Sequence, residues 1–199
     1  MTNPADKQFI TTALNPDLLS IPYKIQTNWH VIMGAPSCGK TTLINLLSER
    51  GYRTVPETAR LWIEDQVNQG NTIESIFADP QKLQRIIEAK QLEIEQNMDP
   101  ESTFFLDSAV PGSLAWFRVF GMDPNEILLD CFQHRYASVF ILEKLPYHLN
   151  GLRIGDEVLP SFIDEWHSRD FHSLGYQVVR VPVLPPEERL DFVLDNINS

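Results

Sequence analysis

From Asn28 onward, short apolar runs alternate with longer stretches whose apolar positions recur at helical spacing. The runs "HVIM", "RTV", "TFFLD", "SVFILE" and "QVVRV" predict strands. Between and after them, "KTTLINLLSER", "ETARLWIEDQVNQ", "PQKLQRIIEAKQLEIEQNM", "GSLAWFRVFG" with "DPNEILLDCFQHR", "PSFIDEWHSRDFHSLG" and "PPEERLDFVLDNI" predict helices. Several of these begin at proline, which suits a first helical position. The rhythm is that of an α/β fold: a parallel sheet of about five strands with helices on both faces, a three-layer sandwich. "SVFIL", apolar throughout, predicts a strand covered on both sides. The run "EAKQLEIEQ" reads most simply as a solvated helix face. The first 26 residues contain three prolines and no sustained period. They predict an irregular arm, packed on the domain or partly mobile, ahead of one domain over 27–199.

Composition changes this picture little. Hydrophobic residues make up 43% and charged residues 22% of 199, enough for a sizeable core without disulfides. A net charge of −11 argues against a broad nucleic-acid or anionic-membrane surface and leaves room for a local basic pocket. No signal peptide or membrane-length apolar run is visible, and Cys38 and Cys131 lie far apart, so the expectation is reduced thiols in the cytoplasm. The five histidines make no zinc-ligand spacing.

Chemistry enters at "GAPSCGKTT", directly after the first strand. Gly34, Gly39, Lys40 and Thr41 fit the GxxxxGK(S/T) phosphate loop between a strand and a helix. The glycines let backbone N–H groups of Gly34, Ala35, Ser37, Cys38, Gly39, Lys40, Thr41 and Thr42 wrap phosphate oxygens, with Pro36, which has no N–H, contributing only its turn. Lys40 reaches the outer phosphates, and Thr41 offers a hydroxyl to Mg²⁺. Cys38 is either an activated thiol or a small residue at a free position of the motif.

Other candidates sit at strand ends, where ligands of such sheets bind. Asp107 closes "TFFLD" as a Walker B acid for hydrated Mg²⁺, or caps the next turn. Glu57 follows the second strand, as an acceptor for a substrate hydroxyl proton or as a favourable charge at a helix start. Arg60 binds a substrate anion or pairs with Glu64. In "YHLNGLRIGDE", Arg153 belongs either to a lid over triphosphate or to an ordinary loop. Trp62, Trp116 and Arg118 lie on helices flanking the cleft, where an aromatic ring stacks on substrate or joins the core.

Together "GAPSCGKTTLINLLSERGY", "VPETAR", "FFLDSAVPGSLAW", "NGLRIGDE" and "GYQVVRVPVLPPEERLDFVL" resemble the small AAA-type P-loop domain family that includes the ribosylnicotinamide kinases. The resemblance runs from about Asn28 to the C-terminus. It implies a P-loop NTPase fold, nucleoside-kinase-like with a short lid, binding ATP and Mg²⁺. It implies Gly34 to Thr41 on the ATP phosphates, Asp107 near the metal, Arg153 in the lid, Glu57 and Arg60 at an acceptor pocket, and Arg189 near adenine. Members commonly carry arginine after the Walker B acid and an acid after the following proline, where this chain has Ser108 and Gly112. The expected activity is transfer of phosphate from ATP to a hydroxyl of a small, nucleoside-like molecule. The alternative is a slow ATPase acting as a regulator of a protein partner.

Overall fold

The computed structural model describes residues 9–145 and 158–197. In chain order these form β1 (Ile25–Gln26), β2 (Trp29–Met33), α1 (Lys40–Glu49), β3 (Arg53–Val55), α2 (Thr58–Asn68), α3 (Ile73–Ile76) and α4 (Pro80–Gln96). There follow β4 (Phe104–Asp107), α5 (Ser113–Val119), β5 (His134–Arg135), β6 (Ser138–Leu142), α6 (Val158–Ser173), β7 (Val178–Val181) and α7 (Pro186–Ile197). The five strands read from apolar runs build one sheet of order β3-β4-β2-β6-β7, with every neighbouring pair parallel.

Alternation along the central strands sorts the layers. Val31, Met33, Leu106, Val139 and Ile141 point to one face, beneath α5, α6 and part of the N-terminal segment. Ile32, Phe105, Phe140 and Leu142 point to the other, against Leu43, Ile44 and Leu47 of α1 and Leu190 and Val193 of α7. Because both faces are covered, β2 is buried along its whole length. The order reverses at β2, and the register pairs Ile32 with Asp107, so the loop after β2 and the acid ending β4 emerge side by side.

Residues 9–24 lie against the domain. Leu14 is buried, with Leu18, Leu19, Ile21 and Tyr23 packed on the first core, and Ile10 N–H donates to the Arg118 carbonyl. β1 then pairs with β5 in a separate two-stranded parallel ladder. That pairing corrects the expected helix over "DPNEILLDCFQHR". The segment forms 3-10 turns at Pro124–Ile127 and Asp130–Phe132, then β5. Lys24 and Ile25 N–H groups take the carbonyls of Phe132 and Gln133, and the Asn125 side chain is held by Asp123 and Ala13. Tertiary partners thus replace the helix's own.

The solvated reading of "EAKQLEIEQ" is also corrected, because Glu88, Gln91 and Glu95 are buried. Their spacing puts them on the inward face of α4. Among the described residues no helix is long and apolar enough to cross a membrane, and both cysteines are buried and unpaired.

Candidate functional site

The loop between β2 and α1 is shaped for an anion. Gly34 and Gly39 have φ of 146° and 96°, and Ser37 adopts 65°, a conformation non-glycine residues avoid. A Cβ on Gly34 would lie 2.7 Å from Cys38 Sγ and 3.0 Å from the Leu142 carbonyl oxygen, so glycine is required there. α1 starts without a side-chain cap or acidic first turn, leaving its first N–H groups and positive dipole end for a ligand. Lys40 Nζ donates to the carbonyls of Gly34 and Ala35, each at 3.0 Å. A cavity of about 470 Å³ opens over this loop, lined also by Thr41, Thr42, Glu57, Ser108 and His167.

Thr41 Oγ1 donates to Asp107 Oδ2 at 3.3 Å, while Asp107 Oδ1 is buried without a partner among the described residues. A hydroxyl and an under-used carboxylate at a phosphate loop are the hard oxygen donors that Mg²⁺ takes beside phosphates, so the residues fit that ion. Burial pushes the Asp107 carboxyl up to about 6, with the Glu57 charge adding to the rise and the Lys40 ammonium opposing it. Ser108, next in the chain, is the other non-glycine residue at positive φ among the described residues, at 103°.

Glu57 immediately precedes α2, yet its side chain makes no capping bond. Instead it lines both the phosphate cavity and a second cavity of about 200 Å³ that shares Ser108 and Trp116. Trp116, half-buried, is therefore at the junction, while Trp62 faces a separate surface hollow with Lys90 and Ile94. Arg60 lines neither cavity and lies 3.9 Å from Glu64, both exposed.

Arg118 is a correction. It is fully buried, its guanidinium bidentate on Asp170 at 2.7 and 2.9 Å, stacked on Trp166 at 3.9 Å and bonded to the Thr12 carbonyl. It faces the opposite way from the cleft, because Trp116 and Arg118 stand two residues apart on one helix. Arg189 is buried as well. Its guanidinium donates to the carbonyls of Cys38, Pro182 and Glu143, strapping α7 across the phosphate loop. Cys38 is packed away, and burial raises its thiol above the ordinary range, so the structure favours the small-residue reading. Arg153 and the segment around it lie outside the described residues.

Sequence reasoning missed the groups that tie these parts together. Glu95 accepts from Val110 N–H, Gln91 Nε2 and Tyr136 Oη, and Gln91 in turn accepts from Thr58 Oγ1. This buried chain joins the start of α2, directly after Glu57, to the backbone after Asp107. His167 holds the Gly112 carbonyl through Nε2 at 3.3 Å, and burial keeps its imidazole neutral, at about 3. Gly112 has no side chain where a Cβ would meet Met33 Cε at 2.6 Å. The i, i+3, i+7 spacing of Glu88, Gln91 and Glu95 was the available signal for an inward polar stripe.

Solved structures similar to this chain share its fold at low identity. The NadR protein in complex with NR aligns at TM-score 0.62 and 18% identity over 87% of this chain and 52% of its own, so this chain spans about half the NadR length. Thymidylate kinase from Ehrlichia chaffeensis aligns at 0.60 and 14% over 87% of this chain and 99% of its own. Deoxyadenosine kinase from M. mycoides aligns at 0.57 and 12% over 85% and 98%. No curated protein matches the chain in sequence. The fold is that of the P-loop NTPases, similar to nucleoside and nucleotide kinases. A family model described as AAA domain matches residues 29–189, from the first strand of the central sheet through the arginine that straps the loop, and the chain belongs to that AAA domain family.

Proposed function

We propose that the protein is a kinase that transfers the terminal phosphoryl group of ATP, with Mg²⁺, to a hydroxyl of a small molecule. The observation that supports this reading most strongly is the place of Glu57. Its carboxylate, without a hydrogen-bond partner among the described residues, stands between a phosphate-shaped cavity and a second, largely apolar one. A hydrolase needs only the first; a phosphotransferase needs both.

In this reading Lys40 leaves the loop carbonyls and neutralises the outer phosphates. Thr41 and Asp107 hold the metal, which supplies charge neutralisation on the phosphate oxygens when bound. Glu57 accepts the proton of the acceptor hydroxyl as its oxygen bonds to the terminal phosphorus and the bond to ADP breaks. Arg153 is proposed to add positive charge from the lid.

The test is ATP consumption with Mg²⁺ across a panel of small hydroxyl compounds, following ADP and phosphorylated product by mass. A new phosphorylated product is expected. Lys40→Ala is expected to lower its formation by about a hundredfold or more, and Glu57→Gln by a similar factor. Slow release of ADP and free phosphate, indifferent to every acceptor, would sink the kinase reading and favour a nucleotide-dependent regulator.

A further inference from the structure

The two cavities meet at Glu57, Ser108 and Trp116, which line both. In phosphoryl transfer to a hydroxyl, the hydroxyl must stand at such a boundary, between the base and the terminal phosphate. The protein supplies a hydroxyl there itself, on Ser108.

The backbone singles that residue out. Ser108 directly follows Asp107 at the carboxyl end of β4, and its φ of 103° is one that a residue with a side chain adopts only when its surroundings enforce it. Glycine would sit there without strain. Outliers of this kind cluster at sites of chemistry. The neighbouring turn also leaves the hydroxyl clear. A Cβ on Gly112 would come within 3.4 Å of Ser108 Oγ, so the glycine keeps a side chain away from it. Ser108 is half-buried, open to the cavity instead of sealed in the core.

The other hydroxyls nearby are placed differently. Those of Ser37, Thr41 and Thr42 belong to the loop and helix start that wrap the phosphates in the kinase reading, and Thr41 Oγ1 donates to Asp107. None of the three lines the second cavity, while Thr58 and Ser113 line only that one. Among the described residues Ser108 is thus the single hydroxyl common to both cavities, and it shares that place with the Glu57 carboxylate.

We propose that Ser108 is a site of self-phosphorylation: with ATP and Mg²⁺ bound and no small molecule in the second cavity, the protein is its own acceptor. This rests on the ATP and Mg²⁺ chemistry of the kinase reading, and on no small-molecule acceptor. Ser108 Oγ bonds to the terminal phosphorus, the bond from that phosphorus to the bridging oxygen of ADP breaks, and the hydroxyl proton passes to the Glu57 carboxylate. The products are phosphoserine and ADP. Phosphoserine brings about two negative charges beside Asp107 and Glu57, so the modified chain repels triphosphate and ATP without an acceptor silences the site.

The test is incubation of the full chain with ATP and Mg²⁺ and no acceptor, following intact mass, fragment masses and ADP. One phosphate per chain is expected on Ser108, stable in acid as an acyl phosphate is not, and formed at a rate independent of protein concentration. Ser108→Gly, which removes the hydroxyl and relieves the backbone, is expected to abolish it, and Glu57→Gln to slow it about a hundredfold. A non-hydrolysable ATP analogue reports whether each variant is folded; if Ser108→Gly is not, the position mapped in wild type decides. The same analogue is expected to bind the phosphorylated chain at least about tenfold more weakly than the unmodified one. The proposal is overturned if the chain gains no phosphate, if the phosphate maps elsewhere or persists in Ser108→Gly, if its rate rises with protein concentration, or if the modified chain binds the analogue unchanged. Phosphoserine formed while no small molecule is phosphorylated counts against the small-molecule acceptor alone. Small-molecule product with Ser108 unmodified, in the presence and absence of acceptor, overturns self-phosphorylation alone.

Discussion

Asp107 shows how a single buried side chain can oppose stability. Its folded pKa, pushed to about 6 from an ordinary 3.8, means that the native state holds a proton which the unfolded chain has already released between those values. Stability therefore falls as pH rises from about 4 to 6, and the cost is fully present above that. Asp107→Asn removes it. The variant is expected to unfold at higher denaturant than wild type at pH 7, by on the order of 2 kcal/mol, with the gap closing toward pH 4. In the proposed kinase it also loses Mg²⁺-dependent turnover. A gap that persists unchanged at pH 4 would rule out the burial account. The acid itself was readable because it ends an apolar run, as was Lys40 from its motif. Gln91 was not, because a glutamine in an acidic helix looks solvated until its partners Thr58 and Glu95 are known.

At the scale of elements, apolar runs located all five strands of the central sheet, since strands covered on both faces need apolar residues at nearly every position. The 3-10 turns and the two-residue strand between 123 and 135 escaped because bonds to residues 13–25, far away in sequence, decide their shape. α5 carries two roles on one helix: Trp116 toward the cavities and Arg118 into the pair with Asp170 on α6. Arg118→Ala would strand a buried carboxylate, a loss of about 3–5 kcal/mol. A fall in melting temperature of roughly 10 °C is expected. Affinity for a non-hydrolysable ATP analogue, measured well below that temperature, is expected to stay within about twofold of wild type. A large loss of nucleotide affinity in the folded variant would instead return Arg118 to the site.

Across the whole molecule, the layered architecture and the position of the phosphate loop followed from sequence, while the packing of residues 9–24 onto the first core did not, because that segment has no period to read. The tertiary strap on the loop was equally hidden. Arg189→Ala leaves three carbonyls without their donor, and the expected result is about tenfold weaker ATP binding with far-ultraviolet dichroism unchanged. Unaltered affinity would mean that the loop keeps its shape unaided. The strap also sets an order of events. Cys38 and Arg189 are separated by 151 residues, so a ribosome that has released the loop must still make most of the chain before the loop's carbonyl finds its arginine. In the proposed kinase, nucleotide would then be gripped firmly only late in synthesis, and its binding would report on a nascent chain's completion through α7 rather than guide its early folding.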